Sequence, residues 1–187
     1  MIFKKRVRDT PLPSFRYHPD PIATGAIVSS VSACVCCKRK TGAIYTGPVY
    51  SRHSKDEPLC PWCIATGKAH KKFGATFCDT GRAGDWTGVP EAVIEEVTTR
   101  TPGFTAWQDN EWWAHDGDAG AYLGMITKED LERLGPDTVK QWRAHCNLEE
   151  LDYPDEMFEE MGPDRDVTGY LFRCLHTGVY GGFIDAN

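Results

Sequence analysis

Two short cysteine motifs, Cys34-Val35-Cys36-Cys37 and Cys60-Pro61-Trp62-Cys63, lie in the first third of this chain, separated by residues 38–59. Each contains a Cys-x-x-Cys pair, Cys34 with Cys37 and Cys60 with Cys63. Two such turns can place four sulfurs around one tetrahedral zinc ion, each about 2.3 Å from the metal. The doubled motif therefore predicts a structural zinc site in a zinc-ribbon-like lobe.

The spare thiol in this interpretation is Cys36. A Cys-x-Cys chelate through Cys34 and Cys36 is an alternative ligand set. A redox pair at Cys60 and Cys63, or a group of buried free thiols, are the other interpretations of the same spacing. The segment between the motifs is long for a zinc ribbon, but its glycines and prolines allow a hairpin.

Length and composition limit the class of protein. A chain of 187 residues with 41% hydrophobic content and 6 tryptophans can bury one core, or one core plus a metal-stabilised lobe. No apolar run approaches the roughly 18 residues that span a bilayer, and the N-terminus lacks the apolar stretch of a secretory signal. The sequence therefore predicts a cytoplasmic protein without a membrane partner, in which 8 cysteines serve as metal ligands and free thiols.

Charge is divided unevenly along the chain, whose formal net charge is −6. Residues 1–75 contain 13 Lys and Arg against 4 Asp and Glu, whereas residues 76–187 contain 8 against 23. We therefore expect an α+β protein with a basic zinc-ribbon-like lobe over 1–75, packed on an acidic mixed helix/strand domain over 76–187. A basic lobe suggests nucleic acid as its partner, and an acidic domain suggests a basic protein.

Helix signals are clearest in the acidic half. Pro90 is well placed as the first residue of a helix that ends before Thr101. Thr127 and Asp130 predict the capped start of a second helix, and Gly135 is expected to end that helix. A third helix is expected to carry Val139, Trp142 and Cys146 on one face.

The last part of the chain, residues 167–184, predicts two strands around His176-Thr177-Gly178. Trp107, Trp112 and Trp113 are expected in the core, and His18 is expected to be a packed residue. We recognise no internal repeat in the sequence.

Several short blocks together resemble the CbrC family over nearly the whole chain. They are FRYHPDP at 15–21, the Cys-x-Cys-Cys turn, YTGP at 45–48, LCPWCIA at 59–65, RTPGF at 100–104 with Trp107-Gln108, HDGDA at 115–119, and YLFRCLH at 170–176. The resemblance implies an association with tolerance to a nuclease colicin, which favours an immunity-type protein.

The resemblance also suggests a second metal site, because members of that family often carry further cysteines in the last two of these blocks. Here Asp116, Gly120 and Thr177 stand at the corresponding positions, and only Cys174 is left. His115, Asp116, Asp118 and His176 are the side chains that would have to rebuild such a site with nitrogen and oxygen ligands.

An acidic segment over 149–160 is the predicted contact surface for a toxin, because no Lys or Arg occurs between Arg143 and Arg165. Acidic side chains there would speed association with a basic nuclease, and three apolar side chains would anchor the complex. The predicted partner-binding residues are Glu149, Asp152, Tyr153, Glu156, Met157, Phe158 and Glu159. A solvated acidic helix face is the alternative interpretation.

The first functional prediction is thus an inhibitor that neutralises a basic toxin, with a nuclease as the expected target, by stoichiometric occlusion. The alternative is a zinc-dependent nucleic-acid-binding or stress-associated protein, supported by Lys38-Arg39-Lys40 and the lysines at 68, 71 and 72 around the zinc lobe. Enzymatic activity is not expected, because the chain has no phosphate-binding loop, no His-Glu-x-x-His motif and no recognisable nucleophile turn.

Overall fold

The computed structural model describes residues 11–52, 57–79, 86–108, 110–147, 153–163 and 165–186. Contacts divide the chain into two compact units, Met1–Asp79 with Glu95–Thr105 and Thr80–Ile94 with Ala106–Asn187. Both units contain helices and strands, so the predicted α+β class is confirmed.

The first unit is built on an antiparallel hairpin of strands β1 (Ile27–Ala33) and β2 (Lys40–Tyr45). Two short helices follow, α1 (Pro61–Ala65) and α2 (Lys68–Phe73). The chain then leaves this unit and returns to it within helix α3 (Glu91–Arg100). Helix α3 begins one residue after Pro90 and ends before Thr101, close to its predicted limits.

The core of the first unit combines aliphatic, aromatic and cysteine side chains. Tyr45 and Phe77 meet edge to face with ring centroids 5.5 Å apart, and Ile64 and Ala69 bury one side of α1 and α2. Three of the four predicted zinc ligands, Cys34, Cys60 and Cys63, belong to the same buried cluster.

The second unit contains two sheets. A small hairpin joins β3 (Ala114–His115) to β4 (Asp118–Ala119). The larger sheet is antiparallel, with the order β5 (Ala121–Ile126), β6 (Val167–Arg173), β7 (Tyr180–Ala186). Strands β6 and β7 are the two strands predicted around His176-Thr177-Gly178.

Three helices complete the second unit: α4 (Lys128–Leu134), α5 (Pro136–Ala144) and α6 (Pro154–Glu160). Its second cluster of buried side chains includes Leu131, Trp142 and Phe158, one from each helix. None of the helices among the described residues is long and apolar enough to cross a membrane.

The start of α4 follows from its sequence. The Thr127 hydroxyl accepts a hydrogen bond from the Asp130 backbone N–H, and the Asp130 carboxylate accepts one from the Thr127 N–H. This reciprocal pair satisfies two backbone donors that a helix start leaves open. Gly135 then ends α4 as predicted. Helix α5 stops at Ala144, so Cys146 lies beyond the helix in which it was expected.

The tryptophans differ from one another in burial. Trp112 is fully buried and donates from Nε1 to the Gly120 carbonyl at 2.9 Å. Trp113 is partly buried, whereas Trp107 is 56% exposed, so its predicted core position is wrong. Next to Trp107, the Gln108 N–H donates to the Asp185 carboxylate at 2.8 Å.

His18 is a buried structural residue, as expected. Its Nδ1 lies 2.8 Å from the Pro102 carbonyl oxygen and its Nε2 lies 2.7 Å from the Thr24 hydroxyl. A neutral ring that donates from Nδ1 and accepts at Nε2 satisfies both partners. Burial lowers the pKa of His18 to about 4.

We expect His18 to make stability fall as the pH falls below about 6.5. The unfolded imidazole binds a proton near that pH, but the folded one does so only near pH 4, so unfolding takes up a proton in this window. By roughly pH 5 the free energy of unfolding should drop by about 2 kcal/mol more than in His18→Gln, which keeps polar groups but does not titrate. Urea unfolding at neutral pH and near pH 5 measures the difference. An equal loss in both proteins would contradict it.

Candidate metal centre

The first cysteine turn is closed by backbone hydrogen bonds directly after β1. The Cys34 N–H donates to the Arg39 carbonyl at 2.9 Å, and the Lys38 N–H donates to the Cys34 carbonyl at 2.7 Å. Lys38 adopts a left-handed conformation with φ 59°, which reverses the chain. The turn brings the thiol of Cys37 back beside that of Cys34.

The second cysteine turn begins where an extended residue meets a helix. Cys60 has φ −89° and ψ 148°, and Pro61 supplies the first residue of α1, where its missing N–H costs little. The Cys63 N–H donates to the Cys60 carbonyl at 3.0 Å, which closes the turn. The Cys60 N–H donates to Cys34 Sγ at 3.3 Å and so links the two motifs.

The four predicted thiols converge. The sulfurs of Cys34, Cys37, Cys60 and Cys63 all lie within 4.8 Å of one another. Ligands about 2.3 Å from a tetrahedral ion lie about 3.8 Å apart, and Cys37 Sγ lies 3.8 Å from Cys60 Sγ. This donor set fits a metal ion without rearrangement of the backbone.

Cys36 is outside this group, which favours the Cys-x-x-Cys ligand set over the Cys-x-Cys alternative. Its side chain is 7% exposed and belongs to the core of the first unit. All 8 cysteines lie within the described residues and are free thiols.

The close contacts among the thiols separate their acidities. Hydrogen bonds from the Cys60 and Cys63 thiols lower the pKa of Cys34. The same contacts with Cys34 raise the pKa of Cys60 to about 12 and also raise that of Cys63. A bound metal ion would instead favour the thiolate form of every ligand.

Two basic segments that are distant in sequence meet beside the cysteine group. Lys72 of α2 donates from Nζ to the Cys36 carbonyl at 3.1 Å, which ties the helix to the first turn. Arg39 and Lys68 line the same small cavity. Six exposed cations belong to these two segments, which flank the cysteine motifs along the chain, and we call them the basic surface: Lys38, Arg39, Lys40, Lys68, Lys71 and Lys72.

The C-terminal hairpin repeats the local geometry of the first cysteine turn. The Cys174 N–H donates to the Val179 carbonyl at 2.8 Å, and the Gly178 N–H donates to the Cys174 carbonyl at 3.0 Å. Gly178 has φ 75°, close to the value at the corresponding position of the first turn. Both turns join two strands of an antiparallel hairpin. The chain therefore contains a structural repeat that we did not recognise in its sequence.

The second copy differs at the position that matters for metal binding. Thr177 stands where the first turn has Cys37, and the Thr177 N–H donates to Cys174 Sγ at 3.4 Å. Burial opposes ionisation of Cys174, but hydrogen bonds from Thr177 and His115 outweigh it and lower the pKa of the thiol to about 7.

Three of the four side chains considered for a second metal site, Asp116, Asp118 and His176, lie close together, whereas the His115 ring stacks on Trp113 with ring centroids 5.3 Å apart. His176 Nε2 lies 3.1 Å from the buried Asp118 carboxylate, and its Nδ1 lies 3.6 Å from the Asp116 carboxylate. Among the described residues, the four cysteines of the first unit are the only group of three or more potential ligands that meet closely enough to hold a metal.

The acidic segment is only partly described. Glu149 and Asp152 lie outside the described residues, whereas Tyr153 is 69% exposed and Glu156 is exposed. Phe158 is buried in the second core, and Met157 packs against that core. Neither side chain is thus displayed as a surface anchor.

Two acids of α6 already have partners within the second unit. Asp155 accepts from Arg143 at 2.7 Å, and Glu159 accepts from Lys128 at 2.5 Å. Arg143 also lies over the Phe158 ring, 4.9 Å from its centroid. These contacts stabilise α6 against α4 and α5, and they offset part of the negative charge of the segment.

Comparisons with known proteins place the chain in a family. The model of UPF0167, an uncharacterised protein family, matches residues 12–186. UPF0167 protein Mb2317 of Mycobacterium bovis is 45% identical over 178 residues, which cover 93% of each chain. UPF0167 protein PA1536 of Pseudomonas aeruginosa is 38% identical over 169 residues, which cover 90% of this chain and 93% of that protein. No solved structure was found to match.

These matches correct the resemblance drawn from the sequence blocks. The assignment to the CbrC family was wrong, because the family model and the curated relatives are those of UPF0167. The association with colicin tolerance that rested on it is withdrawn. With a match over nearly its whole length and relatives at 38–45% identity, the chain belongs to the UPF0167 family.

Proposed function

We propose that this UPF0167 protein binds nucleic acid through the basic surface, and that a structural zinc ion held by Cys34, Cys37, Cys60 and Cys63 keeps that surface folded. The observation that carries the proposal is the meeting of two basic segments, residues 38–40 and 68–72, beside the four-cysteine group. The proposed role is binding and not catalysis.

Zinc is the metal that best suits this donor set. Four cysteine sulfurs in a tetrahedral arrangement are typical of structural zinc sites, and a complete set of four protein ligands leaves no position for a substrate. Bound zinc would supply charge compensation for four thiolates and a cross-link between the two turns. The protein itself orients the ligands, since the backbone N–H of Cys60 donates a hydrogen bond to Cys34 Sγ.

We expect the purified protein to hold one zinc ion per chain. Cys63→Ser should lose the metal and unfold the first unit, because structural zinc can contribute on the order of 10 kcal/mol of apparent folding free energy. Metal analysis and circular dichroism measure the two effects. Cys36→Ser and Cys174→Ser are matched controls that should keep the metal. Protein without metal from chelator-free buffer, or loss of metal in Cys36→Ser but not in Cys34→Ser, would contradict the assignment.

Nucleic acid suits the basic surface because phosphate contacts need only exposed cations that can approach a backbone. The first unit contains 14 Lys and Arg against 7 Asp and Glu, so it carries a local positive field within a chain of net charge −6. Trp62 and Tyr50 lie in the same unit and offer aromatic faces for stacking with unpaired bases.

Binding to a single-stranded oligonucleotide should depend steeply on salt and on the basic surface. Replacing Lys38, Arg39, Lys40, Lys71 and Lys72 by glutamine should lower the salt slope by up to about 3, given about 0.7 per phosphate contact on single strands. Fluorescence anisotropy over a salt series measures the slope. Replacement of Arg133 and Lys140, exposed cations of the second unit, is the control and should change little. If the variant of the basic surface and the Arg133 and Lys140 control bind the oligonucleotide equally well, the basic surface is excluded as the binding site.

A second candidate function is the stoichiometric inhibition of a basic nuclease toxin by the acidic second unit. Tyr153 supports it, because this aromatic residue is 69% exposed in a left-handed conformation at the start of an acidic helix. The candidate ranks below nucleic-acid binding, since Phe158 and Met157 pack inward and the family association that favoured it was withdrawn.

If inhibition is the function, charge reversal at Glu149, Asp152 and Glu156 should slow association with a basic nuclease toxin, whereas Tyr153→Ala should shorten the complex lifetime. A central aromatic anchor typically costs about 1–4 kcal/mol on truncation. Surface plasmon resonance separates the two rates, and protection should titrate to one equivalent. Glu159 is left unchanged because it pairs with Lys128. Rates unaffected by these changes would exclude the acidic segment as the contact surface.

A further inference from the structure

A small cavity opens beside the candidate metal centre. Its volume is about 140 Å³, well below the roughly 300 Å³ at which pockets for drug-sized ligands begin and equal to the share of about five waters in the liquid. A compact polar group therefore fits this space better than a whole base or sugar. The lining residues outside the cysteine group are Arg39, Thr41, Trp62, Thr66 and Lys68.

The cavity has hydrogen-bond donors that nothing else in the described chain uses. Arg39 and Lys68 form no ion pair with any carboxylate of the described residues. The indole Nε1–H of Trp62 is buried and has no hydrogen-bond partner there. Buried donors are almost always paired, so an orphaned donor on a residue that lines this cavity, together with two lining cations, favours an acceptor that is not part of the described chain.

The two threonines restrict the chemistry further. The Thr66 hydroxyl donates to the Trp62 carbonyl at 2.7 Å, and the Thr41 hydroxyl donates to the Ala43 carbonyl at 3.0 Å. Their hydrogens are thus occupied by the backbone, and the remaining free donors are the charged groups and the indole. Such a set suits an anion with several oxygens.

Neutralisation of the metal centre is the competing explanation for Arg39 and Lys68. A divalent ion with four thiolates carries two negative charges, which two cations would balance. The basic surface, however, contains six cations, so a positive excess remains when the metal is bound. The orphaned Trp62 N–H is also left unexplained by charge balance alone.

We propose that this cavity binds the terminal phosphate of a nucleic acid strand, with Arg39 and Lys68 pairing its charge and Trp62 Nε1–H donating to one of its oxygens. A phosphomonoester carries close to two negative charges at neutral pH, whereas an internal phosphodiester carries one, so two cations favour the strand end. This inference rests on the proposed binding of nucleic acid and names the group that the surface recognises.

The test compares two oligonucleotides of one sequence, with a 5′-phosphate or a 5′-hydroxyl, on the zinc-loaded full chain. We expect the phosphorylated strand to bind at least about tenfold more tightly. Arg39→Gln with Lys68→Gln should abolish this preference while metal content stays unchanged. Lys40→Gln with Lys71→Gln, which alters cations outside the cavity lining, is the matched control and should keep the preference.

Inorganic phosphate, followed by the Trp62 indole N–H signal in nuclear magnetic resonance spectra, provides an independent measurement. Trp62→Phe identifies that signal, which should shift on titration. If strands bind without preference for the phosphate and the signal does not move, the cavity inference fails while the proposed function stands. If phosphate shifts the signal but no strand binds, the cavity is a site for a free phosphate or nucleotide, and both the strand-end inference and the proposed function are overturned.

Discussion

The convergence of four cysteine sulfurs is the constraint on which the first unit depends. Its first two helices span only 5 and 6 residues and its longest strand only 7, and isolated helices of that length are unstable in water. The backbone hydrogen bonds that connect its parts include Val35 N–H to the Pro58 carbonyl and Tyr45 N–H to the Leu59 carbonyl, both at 2.8 Å. The thiols lie inside the aliphatic and aromatic core, so whatever fixes them also fixes the packing around them.

The convergence of the cysteines also determines where the cations of the basic surface lie. Cys63 lies within α1, and only Thr66 and Gly67 separate α1 from α2, so the position of the α2 lysines is set largely by the position of Cys63. The first turn sets the position of Lys38, Arg39 and Lys40 in the same way. The cysteine group and the hydrogen bond from Lys72 to Cys36 are thus sufficient to hold the two segments of the basic surface next to each other.

The sequence predicted those features whose determinants are close together along the chain. Spacing within each motif identified Cys34, Cys37, Cys60 and Cys63, and the Thr127 and Asp130 pair located the start of α4. Features that depend on distant partners were missed. One is the bond from Gln108, beside the exposed Trp107, to Asp185, because these two residues are 77 positions apart and no local sequence pattern indicates such a bond.

Burial of Phe158 likewise depends on Arg143 and Trp142 of α5. From sequence alone, apolar residues in an acidic segment that contact a partner cannot be distinguished from apolar residues that pack into the core. The family resemblance went wrong for a different reason, because short blocks were matched one by one, whereas the UPF0167 model spans residues 12–186 as a whole.

The repeated hairpin shows that the backbone conformation of the cysteine turn does not depend on the presence of both thiols. In the C-terminal copy, backbone hydrogen bonds close the turn around Cys174 although Thr177 replaces the second thiol. The turn is thus a scaffold that backbone hydrogen bonds close, and the side chains at its positions decide whether it carries metal ligands. The C-terminal copy keeps its strands paired without a second thiol, so the side chains on such a turn are free to diverge, toward converging thiols in one hairpin and toward the contact of His176 with Asp118 in the other. Within one chain, the two hairpins represent both outcomes of that freedom.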